Sequence, residues 1–298
     1  MARPIPTGEV ITAPLRDGRR ISGAIFGDIK SSRVIFYFNG FPGTRLEATL
    51  AHDEAVRLGL KIIALDRPGL GESSPKRGRL VMDWPKDVEE VATLLNIDKF
   101  AILAVSGGAM FALATAAYFG ERVQALAIVS GVAEGWRPGA LKGMHLANRG
   151  ILEIGLVSPI LGRCLIATIA SVWRFSPLAA ALWFRSVLSP GDVEIVKRPS
   201  VTRLLMANIA FALKQGIAGV VDEYSCLVSK WGIPFERISA PSSFWHGTAD
   251  SYVPFKMAQI NHELVPGSAL KSVPGAGHFM MVDCFGDVLR ELSECARF

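Results

Sequence analysis

The chain has 298 residues, half of them hydrophobic and a fifth charged, with a formal net charge of +5. That length can form one large domain, or one with an insertion, around a sizeable core, and the composition excludes bulk disorder. The basic residues are spread out, and the densest cluster, Lys76-Arg77 with Arg79, has no aromatic residues among it, so no nucleic-acid partner is expected.

From the N-terminus, Met1 to Glu9 has no continuous apolar run of the kind a secretory signal needs. Glu9–Thr12 and Arg20–Phe26 read as an antiparallel hairpin turning at Arg16-Asp17-Gly18. Strand and helix patterns then alternate: strands at Val34–Phe38, Lys61–Leu65, Phe100–Val105 and Val123–Val129, helices at Leu46–Leu58, Trp84–Leu95 and Gly107–Tyr118. Short apolar strands alternating with helices predict an α/β fold built on a parallel sheet. The uncharged stretch Phe100–Gly120 is long enough to cross a bilayer, but Ser106-Gly107-Gly108 breaks it into a buried strand and a crossover helix, so no membrane insertion is expected.

The alternation stops after Gly131. Residues 134–240 are helical in pattern, with breaks at Pro138-Gly139, Ser158-Pro159, Ser189-Pro190-Gly191 and Gly232-Ile-Pro234, and read as an inserted helical cap. Trp136, Trp173, Phe175, Trp183, Phe184 and Trp231 fall there; most should pack the cap, with one or two on a substrate pocket. The sheet pattern resumes with a strand at Ser242–Trp245, a helix at Phe255–Leu264, a strand at Leu270–Val273 and an amphipathic helix at Phe279–Ala296.

Ala104-Val105-Ser106-Gly107-Gly108 carries the chemistry. A lone serine between a buried strand and a small-residue helix reads as a nucleophile elbow, a strained turn whose neighbours two positions away must be small. Ala104 differs from the usual glycine by one methyl. A serine hydroxyl attacks only when a base takes its proton, and that base needs a carboxylate to fix its tautomer. Downstream, His278 sits in Pro274-Gly-Ala-Gly-His and Asp250 in His246-Gly-Thr-Ala-Asp, each on a loop after a strand, where open parallel sheets bind ligands. Glu134 is the rival carboxylate. His246 reads as a hydrogen-bonded structural residue, and Asp66 with Arg67 as a tie within their own loop.

His52, His145 and His262 form no ligand spacing, so no metal is expected, and no cofactor either. Cys164, Cys226, Cys284 and Cys295 show neither metal-ligand spacing nor a Cys-x-x-Cys pair and read as free thiols, which suits a cytoplasmic location.

With Asn39-Gly-Phe-Pro-Gly43 and Asp66-Arg-Pro-Gly-Leu-Gly-Glu-Ser73 added to the elbow and the two loops, the chain resembles the α/β-hydrolase superfamily over nearly all its length apart from the insert. The resemblance implies a mostly parallel eight-stranded sheet flanked by helices, with a hydrolase core over 1–133 and 241–298 and a cap over 134–240. It implies Ser106 as nucleophile, His278 as general base and acid, Asp250 as the orienting carboxylate, and an oxyanion hole from the N–H groups of Phe41 and Gly107. Pro42 has no N–H to offer, which favours Phe41. Many relatives carry histidine where this chain has Asn39. The implied activity is cleavage of small to medium apolar carboxylic esters, the ester being the expected small-molecule partner. Other serine-triad chemistries stay open, among them aminopeptidase, thioesterase and carbon–carbon hydrolase, as does a non-catalytic receptor. An exposed acidic cluster would favour the peptidase, and the insert's adjacent acidic pair is Asp222-Glu223.

Overall fold

The computed structural model describes residues 8–298, so most of the N-terminal stretch read above lies outside it. The hairpin forms as expected, β1 (Glu9–Pro14) against β2 (Arg20–Gly27), followed by β3 (Val34–Phe38). The next segment departs from the expected single helix. Arg45–Ala51 winds as a 3-10 helix before α1 (His52–Leu58) begins. Its buried residues are Arg45, Ala48 and Ala51, and a three-residue turn stacks positions i and i+3 on one face, so the tighter winding fits this spacing.

The core continues through β4 (Lys61–Leu65), α2 (Trp84–Leu94), β5 (Phe100–Val105), α3 (Gly108–Phe119) and β6 (Val123–Val129). Six helices then intervene: α4 (Leu146–Val157), α5 (Pro159–Phe175), α6 (Pro177–Ser186), α7 (Pro190–Val196), α8 (Pro199–Ala212) and α9 (Ala218–Leu227). Proline opens four of these helices, where its fixed φ suits the first turn and its missing N–H costs no bond. Last come β7 (Ser242–Gly247), α10 (Phe255–Leu264), β8 (Ala269–Val273) and α11 (Met281–Cys295).

The eight strands form one sheet in the order β1-β2-β4-β3-β5-β6-β7-β8, parallel from β4 onward and antiparallel at the two β2 pairings. Strand alternation divides the core. Phe36, Ile102 and Ala104 face a cluster with α2, α3 and α10, whereas Tyr37, Leu103 and Val105 face one with α1 and α11. Both faces of these strands are covered, which is why they read as unbroken apolar runs.

The insert expected over 134–240 is helical over 146–227. Its ends pack back on the main core through Ala140, Met144, Trp231, Ile233 and Phe235. The helices keep a smaller cluster of their own around Ile166, Ala170, Leu213 and Tyr224. Trp231 thus belongs to the core of the sheet. Phe175 and Trp136, expected to pack the cap, are exposed instead.

Candidate active site

Register places the candidate residues along one edge. Phe38 pairs with Ala104 and Val105 with Val129, so the loops after β3, β5 and β6 emerge side by side at the carboxyl end of the sheet. Ser106 sits at the elbow with φ +50, a left-handed conformation that side chains rarely adopt. Its N–H donates to the Val129 carbonyl at 2.9 Å, and its own carbonyl accepts from Ala109 and Val132 at 3.1 Å, so β6 and α3 hold the strained turn. A Cβ at position 108 would lie 2.1 Å from the Phe38 carbonyl oxygen, which is why glycine stands there.

The structure brings Ser106, His278 and Asp250 together in one chain. His278 Nε2 lies 3.1 Å from Ser106 Oγ, and His278 Nδ1 lies 2.8 Å from Asp250 Oδ2. The other Asp250 oxygen accepts the N–H groups of Tyr252 and Val253 at 2.9 and 2.8 Å, so the turn chemistry of this loop also aims the carboxylate. His246, buried beneath, contacts the Val253 carbonyl at 2.8 Å and lies 3.2 Å from Asp250 Oδ2. Burial works against charge on Asp250, but the His278 charge and hydrogen bonds from both histidines outweigh it and hold the carboxyl down to about 2. On His278 burial disfavours the charged form as well and so pushes downward, and the charge and hydrogen bond of Asp250, helped by Asp192 and Glu47, win and raise it above the ordinary imidazole value. Glu134, the rival carboxylate, is committed elsewhere, to Arg137 at 2.8 Å and the Trp231 N–H at 2.9 Å.

Phe41 and Gly107 meet beside the serine: a Cβ built on Gly107 would fall 3.1 Å from the Phe41 nitrogen. Above them lies a cavity of about 220 Å³ whose wall includes Ser106, His278, Phe41 and Gly107. Trp173, Trp183 and Phe184 from the insert line it, and almost every other lining side chain is apolar. Among the described residues, no group of three or more His, Cys, Asp or Glu converges as a metal site would.

A family model described as alpha/beta hydrolase fold matches residues 33–153. No curated protein matches the chain in sequence. Among solved structures, a hydrolase from Pseudomonas aeruginosa PA01 superposes with a TM-score of 0.72 at 18% identity, covering 96% of this chain and 99% of its own. A thermophilic esterase from Thermogutta terrifontis gives 0.62 at 17% identity, with 97% and 100% covered. The enol-lactonase from Burkholderia xenovorans LB400 gives 0.68 at 16% identity, with 95% and 99% covered. The chain has the α/β-hydrolase fold.

Three of the inserted helices hold the loops of the candidate site, through residues that the motifs did not indicate. On α7, buried Asp192 accepts the backbone N–H groups of His278 and Phe279 at 2.9 and 2.7 Å and a hydrogen bond from Ser189 at 2.7 Å. A Cβ at Gly277 would lie 2.2 Å from that carboxylate. On α8, Asn208 Oδ1 accepts from the N–H and hydroxyl of Thr44, at the end of the Asn39-to-Gly43 loop.

On α9, buried Glu223 pairs with Arg67 and Arg79. Arg67 in turn donates to the Asn39 and Gly40 carbonyls, both at 2.7 Å. Carbonyl and N–H of one peptide plane point opposite ways, so fixing the Gly40 carbonyl on Arg67 turns the Phe41 N–H away from Arg67. Asp66 ties down its own loop, as read, by accepting the Glu72 N–H at 3.4 Å, whereas Arg67 reaches out of that loop. Asp66 also accepts the backbone N–H and guanidinium of Arg45, both at 2.8 Å.

Glu47 completes the loop's support by accepting from Tyr37 at 2.7 Å and from the Gly40 N–H at 3.1 Å, and it reaches the cavity wall. Burial, opposed by the hydrogen bonds it accepts and by the nearby Arg67 and His278 charges, leaves its carboxyl above the ordinary range.

Proposed function

We propose that the protein is a serine hydrolase that cleaves carboxylic esters of small to medium apolar groups through an acyl-enzyme. The observation that carries this reading is the continuous Ser106–His278–Asp250 hydrogen-bonded chain opening into an apolar cavity. His278 Nε2 takes the Ser106 proton as Oγ attacks the ester carbonyl, and Asp250 keeps the proton of Nδ1 in place and stabilises the imidazolium. The carbonyl oxygen gains charge and rests on the Phe41 and Gly107 N–H groups, each such donor contributing roughly 3 kcal/mol to the barrier reduction. Protonated His278 then hands its proton to the departing alkoxide. Water, deprotonated by His278, attacks the acyl-enzyme and releases the acid and Ser106.

The cavity argues for the substrate class. Its wall is apolar, and its one acidic lining group among the described residues, Glu47, already accepts two hydrogen bonds. A peptidase needs an ionised carboxylate free to hold the substrate amine. Asp222 and Glu223 are absent from the wall and paired with arginines, Asp222 with Arg77 and Glu223 with Arg67 and Arg79. The esterase and enol-lactonase among the structural neighbours support acyl transfer to water on this fold.

The test is a series of p-nitrophenyl esters graded by acyl length, run beside aminoacyl amides on the wild type and Ser106→Ala. Turnover of the esters, lost in a folded Ser106→Ala variant, supports the reading. Ester turnover that survives in that variant overturns the mechanism, and failure of a fluorophosphonate to label Ser106 in folded protein points to a receptor.

A further inference from the structure

The outer side of α4, α5 and α6 carries an unusual load of exposed apolar side chains. Val157 is 87% exposed, Leu146 80%, Phe175 77% and Leu178 74%, with Ile160 and Leu182 also well over half exposed. Elsewhere among the described residues, exposed large apolar side chains occur singly on separate elements, as Val10, Val56, Leu80 and Leu94 do.

Helix α5 makes the point most clearly. At 100° per residue, Ile160, Leu161, Val172 and Phe175 lie on one face, and all are exposed. The opposite face, with Gly162, Ile166 and Ala170, is buried against the insert's own small core. A helix apolar on both faces belongs in a covered environment, yet only one face of α5 is covered by this chain.

Charge decides the occupant. Residues 146–186 hold four arginines, Arg149, Arg163, Arg174 and Arg185, against a single carboxylate, Glu153, and with Asp222 of α9, which Arg163 shares with Arg77, the face still keeps five arginines to two carboxylates. Arg163 and Arg174 flank the exposed stripe of α5 along one edge. A second copy of the chain meeting this face would bring the same excess of arginines, with too few carboxylates to meet them. An anionic bilayer surface satisfies both features, taking apolar side chains below its headgroups and arginines among them.

The cavity reaches the same helices. Ile166, Ile169 and Trp173 on the inner side of α5 line it, and Trp183 of α6 both lines it and is 37% exposed. We propose that the outer face of α4–α6 seats on an anionic lipid surface, bringing the cavity mouth to the bilayer. This is attachment to the surface and not passage through it: no helix among the described residues is long and apolar enough to cross a membrane. Docking stands apart from the esterase reading. Only its consequence, that apolar esters enter from the bilayer, rests on that reading.

The test uses the full chain in co-sedimentation with vesicles of phosphatidylcholine alone or with about a third phosphatidylglycerol, at low and high salt. Binding to the anionic vesicles, weakened by salt, is expected. The variant Phe175→Ser/Leu178→Ser/Leu182→Ser, at residues outside the cavity wall, should bind roughly tenfold more weakly or worse. Its hydrolysis of a dissolved short-chain ester should be unchanged. Arg163→Glu/Arg174→Glu should remove the preference for anionic vesicles without relying on the first variant folding. Absence of binding to either vesicle overturns the proposal, and so does a solution dimer that the triple-serine variant dissociates. Because sedimentation needs no turnover, loss of the esterase reading would leave this outcome legible.

Discussion

Asp192 and His278 are joined across the boundary between the inserted helices and the sheet: the buried carboxylate of α7 accepts the backbone N–H of His278 at 2.9 Å. Its second oxygen takes the next N–H, that of Phe279, at 2.7 Å. The histidine's main chain is therefore positioned by a residue of the insert, and its ring by Asp250.

Replacing Asp192 should consequently affect both stability and rate. Asp192→Ala strands two N–H groups, and each buried donor left without a partner costs about 1–3 kcal/mol. The melting temperature should fall. Because a misplaced base slows proton transfer, kcat for a chromogenic ester should drop by about 10- to 100-fold. Asp192→Asn keeps one carbonyl oxygen and should recover part of both. An Asp192→Ala enzyme with unaltered kcat would show that α7 does not position the base.

The elbow separates two small residues by what they touch. Gly108→Ala drives a methyl to 2.1 Å from the Phe38 carbonyl oxygen, a backbone atom that cannot move aside cheaply. Overpacking of this kind typically costs about 1–3 kcal/mol, and each kcal/mol lowers the melting temperature by about 2–4 °C. Ala104→Gly should be milder, about 1 kcal/mol from the added backbone freedom in a strand, with activity kept. Thermal melts of the two variants test the ranking.

On the proposed mechanism the pH profile follows His278, which takes the Ser106 proton only when neutral. Its proton affinity is raised above the ordinary value of 6.5, so kcat/KM should climb with pH through a midpoint above that value. In Asp250→Asn the largest upward influence is gone and burial still pushes downward, so the midpoint should move to lower pH. The maximal rate should fall by roughly 10⁴-fold, as loss of the correct tautomer does in triads. A midpoint in Asp250→Asn equal to the wild type's would contradict this assignment.

Stability should respond at the acid end. Asp250 is depressed from 3.8 to about 2, so its contribution is in place above its ordinary value and is lost as pH falls from near 4 toward 2. Denaturant unfolding of wild type and Asp250→Asn across that window should give curves that converge as pH drops.

Arg67 offers a test of the oxyanion loop. Arg67→Met releases the Asn39 and Gly40 carbonyls and leaves Glu223 with Arg79 alone, and breaking a buried pair costs about 3–5 kcal/mol. Arg67→Lys keeps the charge but lacks the planar fork that spans both carbonyls and the carboxylate. It should regain stability while kcat stays low and KM changes little. Recovery of kcat together with stability would assign Arg67 a structural role only.

The strands were legible because β3 to β6 are buried on both faces and are short enough to appear as unbroken apolar runs between turn residues. Ser106, Asp250 and His278 were legible for a related reason: each follows a strand by a few residues, in a loop of small residues with no other evident purpose. The 3-10 winding at Arg45–Ala51 was not, since a buried residue at every third position resembles a helical stripe until its partners are known.

The sheet, the elbow and the candidate side chains that follow its strands are written in the sequence, because these rest on local turn geometry and on strand periodicity. Tertiary structure alone decided the rest. It placed Glu134 against Arg137 instead of His278, sent Arg67 out of its own loop to Glu223, and set Asp192 under the histidine loop. Two of these pairings, Asp192–His278 and Arg67–Glu223, span 86 and 156 residues, and periodicity marks which face is buried without naming its partner. The same limit hid the exposure of Phe175 and Leu178, since an apolar stripe looks alike in sequence whether it faces a core or the solvent.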